Sequence, residues 1–229
     1  MRHLLTYFVI VLLKSTASSR AGVVIDHPGI LSGGPAADTE FINPIGQQAW
    51  QRLADNILLS GNSALIRQVT WLGFYGGSGT PATPPPVTET MRIRFYGARA
   101  VDGLPDDGNI LFEQSLLNPS RVATGRTVAV GGLPLEYLFE ATLSTSVLLE
   151  ADTQYWLEIV QIGDIDSLFR WEFAFVDESG QAFVNQNFPD WQFFAPGDLA
   201  FQLSTIPEPS TGLFVIIGLV ILHRRKRKE

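Results

Sequence analysis

The stretch Met91-Arg92-Ile93-Arg94-Phe95-Tyr96 alternates apolar with charged or polar side chains. Successive side chains of a β-strand point to opposite faces, so this pattern predicts a strand with Met91, Ile93 and Phe95 on its buried face. Similar alternation recurs along the chain, and apolar, β-branched runs add further strands; these segments are 65–75, 137–143, 147–150, 155–160, 171–175 and 199–203. The pattern therefore predicts an all-β protein.

Turns rich in glycine, proline and aspartate separate these strands, notably at 76–86 and 102–109. Many short strands joined by such turns are typical of a β-sandwich. We predict a single jelly-roll-like β-sandwich domain over residues 22–205, because a segment of about 185 residues buries one sizeable core. Helix is scarce, and only 46–56 has a composition that favours a short one.

The N-terminus has the order of a secretory signal peptide. A positively charged start precedes ten mainly apolar residues without charge, and small residues follow. The apolar run is too short for a stable anchor, since about 20 residues are needed to cross a bilayer. We expect signal peptidase to cleave between Ala21 and Gly22, with Ala17 and Ser18 as alternative positions. The signal peptide would then comprise residues 1–21.

The C-terminus combines a short hydrophobic segment with a basic end. Residues 211–222 carry no charge, and the basic tail 223–228 follows at once. As a helix, 211–222 would reach about 18 Å, against about 30 Å for the hydrocarbon core. Snorkelling side chains and local thinning of the bilayer cover part of that gap. The positive-inside rule keeps the tail cytoplasmic, so we expect a short transmembrane helix with the domain outside.

Pro207-Glu208-Pro209 stands immediately before this hydrophobic segment. The tripeptide, the short helix and the basic end together resemble the PEP-CTERM sorting signal of exported proteins of Gram-negative bacteria. The resemblance covers residues 206–229, and it implies recognition at Pro207, Glu208 and Pro209 by exosortase, followed by loss of the helix. Two prolines also keep the segment extended, and Glu208 resists entry into lipid.

The order of features in the domain is similar to a β-sandwich module found ahead of this sorting signal. The residues that carry this looser similarity are Trp50, Ala54, 69–75, 93–96, 102–105, 155–158 and 197–201. The similarity implies a β-sandwich fold, and it assigns no activity to the domain.

The predicted domain is strongly acidic. Residues 22–206 contain eight arginines and no lysine against twelve aspartates and nine glutamates, which gives a net charge of −13. Such a domain is unsuited to binding nucleic acid through phosphates and is better suited to staying soluble and attracting cations. The chain has no cysteine, so stability must come from the core and not from disulfides.

Few residues in the domain favour catalysis. His27 is its one histidine, so a Ser-His-Asp site or a zinc site has little to be built from. A glycoside hydrolase needs only two carboxylates, and Glu140, Glu158 and Glu172 lie on predicted strands. The alternation of those strands instead predicts that each is on the solvent face, so we expect no catalytic activity.

Two groups of residues are candidate binding sites. The first is a set of clustered oxygen ligands of the kind that calcium prefers, although aspartate is also common in turns; its members are Asp102, Asp106, Asp107 and Asn109. The second is a set of aromatic side chains that would stack on sugars if exposed, or pack in the core if buried; its members are Trp71, Tyr75, Trp171 and Trp191.

These features together predict an exported, exosortase-sorted protein of the cell surface or extracellular matrix. Its expected partners are the Sec translocon, signal peptidase, exosortase and, transiently, the inner membrane. Extracellular polysaccharide is a further candidate partner, and no nucleic acid is expected. No cofactor is expected apart from a candidate calcium ion. The alternatives are a carbohydrate-binding module of the cell surface and a carboxylate glycoside hydrolase.

Overall fold

The computed structural model describes residues 22–31, 33–42, 48–76, 84–130, 132–163, 168–174, 180–185, 187–194 and 197–205. Within these residues the regular structure is entirely β, as predicted. The strands are β1 (Val23–His27), β2 (Asp38–Ile42), β3 (Gln48–Leu58), β4 (Ala64–Tyr75), β5 (Thr90–Ala98), β6 (Pro105–Leu117), β7 (Ser120–Thr127), β8 (Leu135–Leu149), β9 (Gln154–Gln161), β10 (Phe169–Trp171), β11 (Gln181–Asn185), β12 (Phe188–Phe194) and β13 (Phe201–Ser204).

The strands form two sheets. The six-stranded sheet has the order β1-β13-β4-β8-β7, and β10 also pairs with β4. The seven-stranded sheet has the order β12-β11-β3-β2-β9-β5-β6, and β3 also pairs with β9. All pairings between these described strands are antiparallel except the single contact of β2 with β9. Two antiparallel sheets of this kind give a β-sandwich-like fold.

The main core is built from the inward faces of both sheets. Met91, Ile93 and Phe95 of β5 are fully buried, so the predicted inward face is confirmed. From the other sheet, the Trp71 ring stacks on that of Phe139, with centroids 5.2 Å apart and planes only 6° from parallel. Burial of each such side chain contributes about 1.5–3 kcal/mol, so this core replaces the disulfides that the chain cannot form.

A second apolar cluster covers the other face of the seven-stranded sheet. Its buried members are Ala54, Tyr96, Trp156, Ala182, Val184 and Trp191. The turn after β5 folds over this cluster, because Trp156 Nε1 donates a hydrogen bond to the carbonyl of Gly103 at 2.8 Å. As a result both faces of β9 are buried from residue 155 to residue 160, whereas the alternation had predicted one buried face.

Two local predictions need correction. Within 46–56, the described residues from 48 onward belong to strand β3 and not to a helix. This strand bonds to β11 on one edge and to β9 on the other, and tertiary ladders of this kind override helix propensity. The predicted acidic loop at 102–109 is also shorter than expected, because β6 already begins at Pro105.

The two ends of the sandwich meet. Strand β1 pairs with β13, and the amide of Thr205 donates to the carbonyl of Gly22 at 3.0 Å. Residues 23–204 form one compact unit. The predicted signal peptide, Pro207-Glu208-Pro209 and the predicted helix at 211–222 lie outside the described residues. Among the described residues there is no helix long and apolar enough to span a membrane.

Candidate functional site

The four aromatic residues predicted as a sugar platform are all buried. Trp71, Tyr75, Trp171 and Trp191 each expose less than 2% of their surface. The polar atom of one indole also points into the protein, since Trp171 Nε1 donates to the carbonyl of Ala200 at 3.0 Å. The predicted platform is therefore corrected to core packing, because a ring must offer a free face to stack on a sugar.

The carboxylates of the predicted calcium site have separate partners. Asp102 pairs with Arg99, with Nη2 2.9 Å from Oδ2, and Asp106 Oδ1 accepts from the Gly108 amide at 2.9 Å. Asp107 accepts from Arg52 Nη2 at 3.1 Å.

The remaining member of that set, Asn109, lies on β6, where its amide packs over Gly97. Within the part of the chain that the structure describes, no three His, Cys, Asp or Glu side chains are grouped so as to hold a metal ion. Calcium binding at Asp102, Asp106, Asp107 and Asn109 therefore stays a prediction from the sequence.

The three glutamates that were predicted to lie on strands are in different environments, and Glu172 follows the end of β10. Glu140 is exposed, as predicted, and accepts a hydrogen bond from Gln68 Nε2 at 2.7 Å. Glu158 and Glu172 are completely buried, so their predicted position on a solvent face is wrong. Residues from distant strands cover the second face at each position, and alternation within one strand cannot show this.

Glu158 is the centre of a buried ion-pair network. Its carboxylate accepts hydrogen bonds from Arg52 Nη2 at 2.6 Å and Arg92 Nη2 at 3.0 Å, and Tyr96 donates its hydroxyl at 2.6 Å. Arg94 lies 3.9 Å away. Burial and the charge of Glu158 raise the pKa of Tyr96, so this hydroxyl remains a donor. Both oxygens of Glu158 are thus hydrogen-bonded, and the carboxylate links residues of β3, β5 and β9.

A second group consists of two buried carboxyls, Glu136 and Glu172, and the partly exposed Arg126. Arg126 donates from Nε and Nη2 to Glu136, at 2.9 and 2.6 Å. Glu172 Oε1 accepts a hydrogen bond from the Leu31 amide at 2.7 Å. Burial, with a further contribution from Glu136, raises the pKa of Glu172 to about 7.

The second oxygen of Glu172 also favours the protonated carboxyl, in agreement with the raised pKa. Oε2 is buried and receives no hydrogen bond from an N–H or O–H donor of the described residues. A buried acceptor of this kind costs about 1–3 kcal/mol if it stays unsatisfied. Protonation of Glu172 removes its buried negative charge, in agreement with its raised pKa.

His27 contacts a third set of acidic residues. Its Nδ1 lies 3.6 Å from Asp55 Oδ2, which also accepts from the Leu199 amide at 2.6 Å. Burial raises the pKa of Asp55 to about 6. Burial lowers the pKa of His27, but the nearby carboxylates of Asp55 and Asp198 together raise it by more. The pKa of His27 is therefore above its ordinary value.

A pocket of about 360 Å³ opens beside His27 and Arg126. Its wall is built on the outer face of the six-stranded sheet, where Leu72 of β4 is paired with Leu138 of β8. The neighbouring pair Thr70 and Gln202 also lines it. We call this cavity the outer-face pocket. Its volume falls in the range of small-molecule sites, about 300–1,000 Å³.

Of the residues that line this pocket, sequence reasoning singled out only His27 and, as a candidate for sugar stacking, Trp71, whose ring is buried in the core. One signal was present: Leu138 is apolar at a solvent-side position of an alternating strand, between Tyr137 and Phe139. The remaining residues come mainly from β1, β4 and β13, which are far apart in sequence and meet only through strand pairing.

No family model matches this chain, and no curated protein matches it. Its function therefore rests on its own sequence features and geometry. Among the described residues, the geometry provides two carboxylate centres that are internally neutralised and an open pocket with a mixed polar and apolar wall.

Proposed function

We propose that this chain is an exported, exosortase-sorted protein of the cell surface or extracellular matrix, with no catalytic activity of its own. The observation that carries the proposal is the C-terminal sequence: Pro207-Glu208-Pro209, the uncharged segment 211–222 and the basic tail 223–228. A signal-peptide-like start at residues 1–21 agrees with it, because both ends then serve export.

The organisation of the domain supports this proposal. Residues 23–204 form a compact unit with its own core. Strand β13 ends at Ser204, three residues before Pro207, so the motif follows the last strand directly in the sequence. Such a unit is suitable cargo, because removal of either terminal segment leaves its strands in place. The jelly-roll arrangement of the two sheets belongs to the same proposal.

The non-catalytic part of the proposal rests on how the buried carboxylates are used. Glu158 is bonded to two arginines and a tyrosine. Both oxygens of Glu136 accept from Arg126, and Oε1 of Glu172 accepts from the Leu31 amide. These carboxyls are thus engaged within the protein, whereas a glycoside hydrolase needs two carboxyls that face a sugar, about 5–10 Å apart.

The sorting motif can be tested by substitution. We expect Pro207→Ala, Glu208→Gln and Pro209→Ala, made together, to trap the protein in the inner membrane. The matched control is Ser210→Ala with Thr211→Ala, because it changes the adjacent side chains and leaves the tripeptide intact. Cell fractionation and immunoblotting would locate each form. If the motif variant reached the surface or medium as the natural chain does, the sorting proposal would be refuted.

A further inference from the structure

The outer-face pocket presents polar side chains that make no hydrogen bond to the other described residues. Asp26, Thr70 and Gln202 line it, and none of them makes a side-chain hydrogen bond to another described residue. This differs from the acidic turn after β5, where the carboxylates of Asp102 and Asp106 are each bonded within the protein. Free acceptors and donors that meet at one cavity are what a polar ligand requires.

Arg126 is held in a fixed position at this pocket. Glu136 takes its Nε and Nη2 groups, and Glu136 is itself completely buried. The remaining nitrogen, Nη1, has no partner among the described residues, and the side chain is 47% exposed. A guanidinium anchored on one side and open on the other loses little conformational entropy when a ligand binds.

The apolar part of the pocket lies between these polar groups. Leu72 and Leu138 are paired neighbours, and the row continues to Val122, which pairs with Leu138 and is also exposed. The outer face of this sheet therefore carries an apolar strip that leads into the pocket.

The charge of the pocket indicates a neutral ligand. Asp26 stands on its wall, His27 faces Asp55 at 3.6 Å, and Arg126 is already compensated by Glu136. Residues 22–206 as a whole carry −13, so an anionic ligand would be repelled. A neutral ligand with many hydroxyl groups and apolar C–H faces matches mixed donors, acceptors and leucines. We infer that the outer-face pocket binds a neutral saccharide, with Asp26, Thr70, Arg126 and Gln202 as polar contacts and Leu72 and Leu138 as apolar ones.

The test compares two tryptophan substitutions on one strand. Leu138 lines the pocket and is 42% exposed, whereas Leu148 is 52% exposed on β8 and does not line it. Leu138→Trp fills the pocket without removing a core side chain, and Leu148→Trp is the matched control. Binding of malto-, cello-, xylo- and laminari-hexaose to the full chain would be measured by isothermal titration calorimetry in a zwitterionic, sugar-free detergent.

We expect at least one of these hexaoses to bind, Leu138→Trp to weaken it at least about tenfold, and Leu148→Trp to change it by less than about twofold. Gln202→Ala, which removes a half-buried polar group only, provides a second test if Leu138→Trp does not fold, and it should also weaken binding. Oligogalacturonate, an acidic oligosaccharide, would be titrated in the same way. The inference would be overturned if no neutral hexaose bound, if oligogalacturonate bound more tightly, or if the two tryptophan substitutions weakened binding equally. Because purified protein is used, these outcomes do not depend on whether the chain is sorted.

Discussion

Replacing Glu172 by glutamine should make the domain more stable at alkaline pH. Among the buried glutamates, Glu89, Glu136 and Glu158 each form an ion pair with an arginine, whereas Glu172 has no arginine in salt-bridge contact among the described residues. Glu172 is therefore the buried carboxyl whose charge is least compensated, and its pKa is raised from 4.5 to about 7.

The direction of the pH effect follows from this pKa. Because the folded state holds the proton more tightly than the unfolded state, the stabilisation is fully present below about pH 4.5 and is lost as the pH rises through about 7. A pKa that rises from 4.5 to about 7 corresponds to about 3 kcal/mol of unfolding free energy. Glutamine has the shape of the protonated acid and does not titrate, so it keeps this stabilisation at every pH.

Urea unfolding followed by tryptophan fluorescence at pH 5 and pH 8 would measure the effect. We expect Glu172→Gln to match the natural chain near pH 5 and to exceed it by up to about 3 kcal/mol at pH 8. Some pH dependence should remain, because Asp55 has a pKa raised to about 6 and acts in the same direction. Exposed Glu140→Gln is the matched control. If Glu172→Gln and the natural chain lost stability equally between pH 5 and 8, the reasoning would be wrong.

Two further perturbations test the packing of the sandwich. Glu158→Gln should cost about 3 kcal/mol of unfolding free energy, because Glu158 is the fully buried counter-charge of the half-buried Arg52 and Arg92. Urea titration would measure this, and a loss no greater than that of exposed Glu140→Gln would contradict it. Gly34→Ala should prevent or severely weaken folding, since the new Cβ would overlap the backbone carbonyl of Trp171. The control Gly61→Ala should cost only about 1 kcal/mol, because its Cβ would meet nothing within 4 Å although φ is +88°. Equal melting temperatures of the two variants would refute this prediction.

The period-two pattern could predict one face of each strand but not the other. Met91, Ile93 and Phe95 were assigned to the core correctly, because the contrast with Arg92 and Arg94 is visible within the strand itself. Glu158 lies two residues from Trp156 on β9 and so on the same face, which belongs to a cluster that includes Ala182 and Trp191 from distant parts of the sequence. In the sequence that face looks exposed to solvent, because it carries the charged residues of the ion pairs and not the apolar residues that a buried face usually has.

The candidate sites also show that the pattern within one strand does not reveal which side chains the fold brings together. Trp71 and Trp171 were candidates for sugar stacking by residue type alone, and the register of their strands turned both rings inward. The outer-face pocket, by contrast, is formed by residues whose types attract no notice in a sequence: a leucine, a threonine and a glutamine. They become a site because β13 and β8 pair with opposite edges of β4.

The arginines explain why the domain presents acidic charge outward. Those that pair with carboxylates are Arg52, Arg92, Arg94, Arg99, Arg121 and Arg126. Most of the cationic charge thus neutralises acids within the protein, including three that are buried, and little is free to attract a polyanion. A domain built in this way repels acidic polymers at long range, so a neutral partner would be held by hydrogen bonds and apolar contacts at short range. That requirement agrees with a neutral saccharide at the outer-face pocket more closely than with an acidic polysaccharide, and it is why the oligogalacturonate comparison decides between them.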